Sequence, residues 1–96
     1  MATIEELSEE NPEALLLDGF EQAFIGISRR CSKPSLATYS RDKCIEILVN
    51  RDGMTWEAAE DFFSFNIEGA WVGENTPIIL DNDDNYLPHK SKIDYN

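Results

Sequence analysis

Residues 40–69 read SRDKCIEILVNRDGMTWEAAEDFFSFNIEG, and this stretch predicts two helices joined by a short turn. Ser40 suits the N-cap of a helix that runs to about Asn50, because its hydroxyl can accept a hydrogen bond from the first helical turn. Gly53 then suits the left-handed backbone conformation that commonly ends a helix. Since so few residues separate this helix from the next one, we expect the two to lie against each other as a helical hairpin.

The second helix is predicted from Trp56 to about Glu68, with Thr55 as its N-cap. Met54 and Ala59 bracket that cap in the arrangement of a hydrophobic staple. The apolar residues of this helix follow helical spacing and are expected to form one buried stripe, made of Trp56, Ala59, Phe63, Ile67 and Ala70 and widened by Phe62 and Phe65.

The segment before the hairpin, residues 20–28 (FEQAFIGIS), fits either a strand or one face of a helix. Gly26 in its interior and the two isoleucines favour the strand, because glycine and β-branched residues are poor helix formers. Leu36–Tyr39 indicates a second strand. The two strands would form a hairpin whose connection is the basic loop 29–35 (RRCSKPS).

The segment after the helices, Ile78–Leu80, is short and β-branched and lies between Pro77 and Asp81, which indicates a last strand. The order β-β-α-α-β predicts an α+β fold, in which a small antiparallel sheet of about three strands is covered on one face by the helical hairpin. Residues 15–17 (LLL) are expected to form a short buried strand or the entry to a turn.

Three segments are expected along the chain. Residues 1–13 form an acidic N-terminal arm, in which a short helix over 3–10 and disorder remain alternatives. Residues 14–80 form a single α+β domain, since a chain of 96 residues has the size of one domain. Residues 81–96 are polar and are predicted to be a flexible tail.

The charge of the chain is strongly negative, with 19 acidic and 8 basic residues, a formal net charge of −11 and a pI near 4.2. Such an excess repels nucleic acid and anionic lipid surfaces and suits a basic partner. It predicts no direct contact with nucleic acid or membrane. The alternative is that the acidity serves solubility alone.

The charges are also segregated along the sequence. Residues 1–21 carry seven acids and no base, residues 22–51 carry six bases and two acids, and residues 52–85 carry nine acids and no base. This pattern predicts that the central bases face carboxylates from both sides. The bases concerned are Arg29, Arg30, Lys33, Arg41, Lys43 and Arg51.

The two cysteines, Cys31 and Cys44, are too few for a disulfide framework or a zinc site. Cys44 lies on the apolar side of its predicted helix and is expected to be buried, while Cys31 lies in the basic loop and is either inert or made reactive by its neighbours. The N-terminal residues do not resemble a signal peptide, and no apolar run is long enough to span a membrane. We therefore expect a cytoplasmic protein with free thiols.

No catalytic or metal-binding constellation is evident. The sole histidine, His89, lies in the polar tail, and a calcium loop that starts at Asp81 fails at Tyr86 and Lys92, where glycine and glutamate are required. The sequence predicts no enzyme activity, no cofactor and no metal. An alternative is an enzyme or ligand-binding domain that uses carboxylates such as Asp18, Glu21 and Glu46, because clustered carboxylates can perform acid–base chemistry.

The strongest binding signal is an acidic ridge on the second helix, formed at helical spacing by Glu57, Glu60, Asp61 and Glu68 with Ser64 between them. Carboxylates in this arrangement could contact a basic surface and even mimic a phosphate backbone, or they could simply form a solvated helix face. The segment 69–73 (GAWVG) contributes Trp71, which is predicted to be either a core residue or an exposed contact residue.

Several stretches resemble an uncharacterised family of small proteins from tailed bacteriophages and bacteria. The similarity rests on residues 17–20 (LDGF), 25–26 (IG), 42–48 (DKCIEIL), 52–60 (DGMTWEAAE) and 69–77 (GAWVGENTP), with Phe63 and residues 65–66 (FN) between them. It covers about residues 17–80. The resemblance implies a phage or phage-derived accessory protein, in which case the cytoplasm would be that of the host cell, and it implies no particular activity or site residue.

These observations favour a non-enzymatic accessory protein whose acidic face binds a basic protein of the host or the virus, with inhibition of a nucleic-acid-binding factor as one outcome. The expected binding residues are Glu57, Glu60, Asp61, Glu68 and Trp71. A small enzyme or ligand-binding domain is one alternative, and a structural or assembly component stable as an oligomer is another. The sequence leaves the oligomeric state open, a dimer included.

Overall fold

The computed structural model describes residues 2–81. The predicted tail 81–96, apart from Asp81 itself, lies outside the described residues, and so do His89 and most of the incomplete calcium loop. The elements, in chain order, are α1 (Ile4–Glu10), a 3₁₀ turn (Glu21–Ala23), β1 (Phe24–Ser28), β2 (Leu36–Ser40), α2 (Arg41–Asp52), α3 (Trp56–Phe63), a π-helical turn (Ser64–Glu68) and β3 (Ile78–Leu80). This arrangement confirms the α+β class, and residues 24–28 are a strand.

The three strands form one sheet in the order β1-β2-β3. Strands β1 and β2 are the predicted antiparallel hairpin, with an irregularity between Phe24 and Gly26. Strand β3, however, runs parallel to β2, with Thr38 opposite Ile78. The sheet is therefore mixed, which corrects the expectation of an antiparallel sheet.

The path of the chain after β2 explains the parallel pairing. Helices α2 and α3 lie as a hairpin, so that the end of the π turn returns to the start of α2, where Glu68 contacts Arg41. A strand that started directly there would run antiparallel to β2. The connection 69–77 instead leads to Ile78 opposite Thr38, before the end of β2, and β3 then runs in the direction of β2.

The predicted helix caps are confirmed. Ser40 Oγ accepts a hydrogen bond from the backbone N–H of Lys43 at 3.3 Å, and Thr55 Oγ1 accepts one from Ala58 at 3.1 Å. Gly53 ends α2 with φ +71°, the left-handed region in which glycine is not strained. These local contacts set the lengths of both helices and of the short turn between them.

The hydrophobic core lies between the sheet and the helices. Ten apolar residues are buried in it, namely Leu7, Phe20, Ala23, Ala37, Tyr39, Cys44, Ile45, Leu48, Ala59 and Phe63. The rings of Phe20 and Phe63 meet edge to face at 6.3 Å, and the Tyr39 hydroxyl, though the residue is fully buried, accepts a hydrogen bond from the N–H of Leu17 at 3.0 Å. Aromatic side chains thus connect α3 and the 14–20 segment to the sheet.

Residues 2–13 pack on this core. Leu7 of α1 belongs to the core cluster, and Asn11 Nδ2 donates to the Ser35 carbonyl at 2.8 Å and to Asn75 Oδ1 at 2.9 Å. The first helix is therefore attached to the two connections that flank the sheet. Residues 15–17, by contrast, form no strand, and Leu15 and Leu16 are exposed, which rules out the buried strand. They lead into a turn at Asp18 and Gly19, which agrees with the alternative expectation of a turn entry.

The apolar stripe of the second helix is narrower than predicted. Ala59 and Phe63 are fully buried and Ile67 is partly buried. The remaining members are exposed, namely Trp56, Phe62, Phe65 and Ala70. Phe62 and Phe65 lie one and two positions from Phe63 and turn away from the side that the core covers, because consecutive residues of a helix are about 100° apart. Trp56 is the first residue of α3, and Ala70 lies past the end of the π turn.

Candidate binding surface

The predicted acidic ridge is divided by a cation from the neighbouring helix. Arg41, the first residue of α2, donates from Nε to Glu68 Oε1 at 3.0 Å, from Nη2 to Ser64 Oγ at 3.3 Å and from Nη1 to Glu60 Oε2 at 3.5 Å. The acceptors recur every four residues and therefore lie on one side of their helix. One guanidinium can reach all three because its donors are arranged as a planar fork.

The electrostatics of this cluster favour the charged guanidinium. Partial burial opposes the charge of Arg41, but the hydrogen bonds and charges of Glu68 and Glu60 outweigh that effect and raise the pKa of the guanidinium above its ordinary value. The Arg41 side chain is only 18% exposed. Glu60 and Glu68 are consequently held in place and partly neutralised.

The other two acids of the ridge are differently placed. Glu57 and Asp61 are exposed, and neither has an ion-pair partner in the part of the chain that the structure describes. Four residues beyond Asp61 lies Phe65, whose side chain is 83% exposed. We call Glu57, Asp61 and Phe65 the α3 face. It places two uncompensated carboxylates beside a large aromatic ring on the solvent side of the helix.

Phe65 is a candidate contact residue that the sequence reasoning assigned to the core. Its position two residues after the buried Phe63 is the signal that could have identified it, because that spacing places it nearly opposite Phe63 around the helix. An assignment of each residue to a face of the helix would therefore have placed Phe63 and Phe65 on different faces.

Trp71 is exposed, with 74% of its surface accessible, which excludes the core alternative. Its indole lines a groove of about 640 Å³ together with Arg29, Arg30 and Lys33. Of the other predicted binding residues, Glu68 alone lines the same groove. The structure therefore distributes the five predicted residues among the Arg41 cluster, the α3 face and this groove.

Several of the predicted contacts between bases of the central segment and carboxylates of the flanking segments are confirmed. Arg29 donates from Nε to Glu10 Oε1 at 2.7 Å and makes a second bond to the same carboxylate through Nη2. The hydrogen bonds from Arg29 and Ser35 lower the pKa of Glu10 to about 2. Lys33 lies 3.9 Å from Glu74, a longer and more exposed ion pair.

The alternative of an enzyme or ligand-binding domain named three carboxylates, and the structure brings only two of them to the same groove. Glu21 and Glu46 line one open groove of about 580 Å³ together with Lys43 and Arg51, while Asp18 is not part of its lining. Both glutamates are exposed. Carboxylates perform paired acid–base chemistry when burial separates their pKa values, and this groove supplies cations and solvent instead of an apolar enclosure.

The two thiols lie in opposite environments. Cys31 is exposed in the basic loop, and Cys44 is buried on α2 as predicted. Burial raises the pKa of the Cys44 thiol to about 11, with a smaller contribution from the charge of Glu68. Cys44 is therefore a neutral, small apolar residue of the core at physiological pH.

Within residues 2–81, no group of three or more histidine, cysteine or carboxylate side chains is arranged to hold a metal ion. None of the helices in that range has both the length and the apolar character needed to cross a membrane. Comparison with known proteins found no family model, no curated protein and no solved structure that matches this chain. The functional conclusion therefore depends on the surfaces described above.

Proposed function

We propose that this chain is a non-enzymatic interaction protein that binds a basic surface of another protein through the α3 face. The observation that carries the proposal is the exposure of Phe65, which is 83% accessible, on the same helix side as the unpaired carboxylates of Asp61 and Glu57, one and two turns before it. Burial of such an exposed aromatic side chain against a partner would be favourable, because it removes a large apolar surface from water. Flanking carboxylates indicate that the partner carries lysine or arginine at that contact.

The energetics of such a contact are adequate for specific binding. Full burial of a phenylalanine side chain contributes about 1.5–3 kcal/mol, and aromatic residues near the centre of an interface often dominate its affinity. The two carboxylates would add charge complementarity, which raises the association rate and orients the partner.

The same proposal includes the biological setting. The resemblance over residues 17–80 supports an accessory protein of a phage or phage-derived element that acts in the cytoplasm of its host. A net charge of −11 would draw such a protein towards strongly basic partners. Carboxylates at helical spacing could occupy the phosphate-binding cations of a nucleic-acid-binding factor, and inhibition of that factor would follow.

The test is an affinity capture from host lysate at low and high salt, with matched charge variants. The α3-face variant is Glu57→Gln with Asp61→Asn, and Phe65→Ala is made separately. The control is Glu5→Gln with Glu9→Gln, which removes the same charge from exposed positions on α1. We expect one basic protein to be retained by the wild type and by the control at low salt, to dissociate at high salt, and to be lost from both α3-face variants.

Equal retention of that protein by the control and by the α3-face variants would refute the proposal, because binding would then depend on total charge alone. Failure of the wild type to retain any basic protein at low salt would refute it as well. Circular dichroism of each variant establishes that it is folded, and none of the substituted side chains belongs to the core.

A further inference from the structure

A second surface of the molecule is cationic despite the overall charge. The groove beside Trp71 lies between the β1–β2 loop and the segment that leads into β3, and its volume is about 640 Å³. One part of its lining consists of Arg29, Arg30 and Lys33. Another part is aromatic and apolar and consists of Trp71, Ala70, Pro77, Ile78 and Ile79.

The cations of this groove differ in whether a carboxylate of the protein already pairs with them. Arg29 is engaged by Glu10, and Lys33 lies 3.9 Å from Glu74. The Arg30 side chain is exposed and has no ion-pair partner among residues 2–81. The groove therefore presents one uncommitted guanidinium, which can receive a carboxylate or a phosphate group through two parallel hydrogen bonds.

The loop that carries these cations has a defined conformation. The N–H of Lys33 donates to the carbonyl of Arg30 at 3.0 Å, and Ser32 has φ +63° in the left-handed region. This turn places Arg30 and Lys33 close to each other. The Asn11 side chain, which donates to the Ser35 carbonyl at 2.8 Å, ties the end of the same loop to the N-terminal segment.

The loop that carries the indole is also fixed. The N–H of Val72 donates to Thr76 Oγ1 at 3.0 Å, and that hydroxyl donates to the carbonyl of Gly73 at 2.7 Å. Gly73 has φ +108°, which side chains rarely allow, so the turn requires glycine. These bonds hold the loop in which Trp71 is exposed beside the cations.

We propose that this groove binds a small aromatic anion. A planar ring would stack on the Trp71 indole, and a single carboxylate or phosphate monoester group would pair with the Arg30 guanidinium. Stacking on the aromatic ring and hydrogen bonds to the charged guanidinium together support weak binding, with a dissociation constant between about 40 μM and about 15 mM.

The charge of the lining limits the ligand to a small anion. Glu68 and Glu74 also line the groove, each next to its own cation. With one uncommitted guanidinium and a net charge of −11 on the chain, a polyanion would be repelled whereas a single anionic group is matched. This site is independent of the α3 face, because none of Glu57, Asp61 and Phe65 lines the groove.

The test uses the two tryptophan indole N–H signals in nuclear magnetic resonance spectra of the nitrogen-labelled full chain. Trp71→Phe assigns the two signals, and Trp56, which lies outside the groove lining, serves as an internal control. Adenosine monophosphate is the phosphate probe and phenylacetate is the carboxylate probe. Adenosine, which lacks the anion, and inorganic phosphate, which lacks the ring, are the matched comparisons.

We expect adenosine monophosphate or phenylacetate to shift the Trp71 signal saturably while the Trp56 signal stays in place, and the more effective probe identifies the preferred anion. Arg30→Ala should weaken that binding about tenfold, equivalent to about 1.4 kcal/mol. Lys43→Ala removes the same charge from an exposed side chain outside this groove and should leave the affinity unchanged.

Three results would overturn the inference. One is a Trp71 signal that neither anionic probe moves at concentrations up to about 15 mM, the weakest dissociation constant that the two contacts imply. Another is equal binding of adenosine and adenosine monophosphate, which would leave the guanidinium without a role. The third is an equal loss of affinity in Arg30→Ala and Lys43→Ala, which would reduce the effect to net charge.

Discussion

Nε of Arg41 lies 3.0 Å from Oε1 of Glu68, and this contact joins the first residue of α2 to the last residue of the π turn. The two residues are 27 positions apart in the sequence. Their contact closes the helical hairpin at its open end. It also fixes the point from which the connection to β3 departs, and the course of that connection then makes β3 parallel to β2.

Replacement of Arg41 by alanine is expected to reduce the free energy of unfolding by about 1–2 kcal/mol, because charge-assisted hydrogen bonds are lost from a partly screened site. Glu60 and Glu68 would then repel each other on the same helix side. Urea unfolding followed by tryptophan fluorescence measures the change. Arg41→Lys should recover only part of it, since an ammonium group cannot reproduce the guanidinium fork.

Lys43→Ala is the matched control for this prediction. It removes one positive charge from an exposed position of the same helix and should change the free energy of unfolding by no more than about 0.5 kcal/mol. If Arg41→Ala and Lys43→Ala destabilise the protein equally, the Arg41 cluster has no specific structural role.

Glu10 should contribute to the pH dependence of stability. Its pKa is lowered from 4.5 to about 2 by the hydrogen bonds from Arg29 and Ser35, so the unfolded chain binds a proton at this site at higher pH than the folded chain does. The stabilisation is therefore present above about pH 4.5 and is lost as the pH falls towards 2. Urea midpoints of the wild type and Glu10→Gln should differ at pH 7 and converge in acid.

The exposed neighbour Glu9 provides the comparison for this pH profile. Glu9→Gln removes a carboxylate that has no ion-pair partner among residues 2–81. The urea midpoint of this variant should therefore show the same pH dependence as that of the wild type. A constant difference between wild type and Glu10→Gln down to pH 2 would show that the ion pair with Arg29 does not titrate as the structure requires.

The two cysteines should react at very different rates. The pKa of Cys44 is raised to about 11 by burial, so at pH 8 only about one molecule in a thousand carries the thiolate. A disulfide reagent such as Ellman's should therefore modify Cys31 quickly and Cys44 only in denaturant. Fast modification of two thiols per native chain, or of one in Cys31→Ser, would contradict the buried position of Cys44.

Leu7 should be essential for the attachment of α1. Its side chain is 1% exposed within the core, and its replacement by alanine is expected to lower the free energy of unfolding by about 2–4 kcal/mol. Glu9→Ala, at an exposed position of the same helix, should have an effect below about 0.5 kcal/mol. Chemical denaturation of both variants decides whether α1 is part of the cooperative unit, and equal small effects would show that it is not.

Much of the fold was predictable because it depends on neighbours within a helical turn. Ser40 and Thr55 accept hydrogen bonds from N–H groups three residues ahead, and Gly53 adopts a conformation that glycine alone adopts without strain. The strand over 24–28 followed from the same kind of local preference. None of these features requires knowledge of where other elements lie.

The binding surface was less predictable. The four ridge acids were identified by their spacing, but their division into an Arg41 cluster and the α3 face depends on α2, which approaches one side of α3. Composition and spacing contain no information on such contacts between separate elements.

By itself, then, the sequence determined the α+β class, the caps of α2 and α3 and the surplus of carboxylates, and it favoured the hairpin of β1 and β2. The tertiary structure alone decided the parallel direction of β3 and the pairing of Arg41 with Glu60 and Glu68. The physical reason is the distance along the chain over which each feature is set. Caps and strand preferences are set by backbone groups a few residues apart, whereas these two features depend on how distant elements pack against one another.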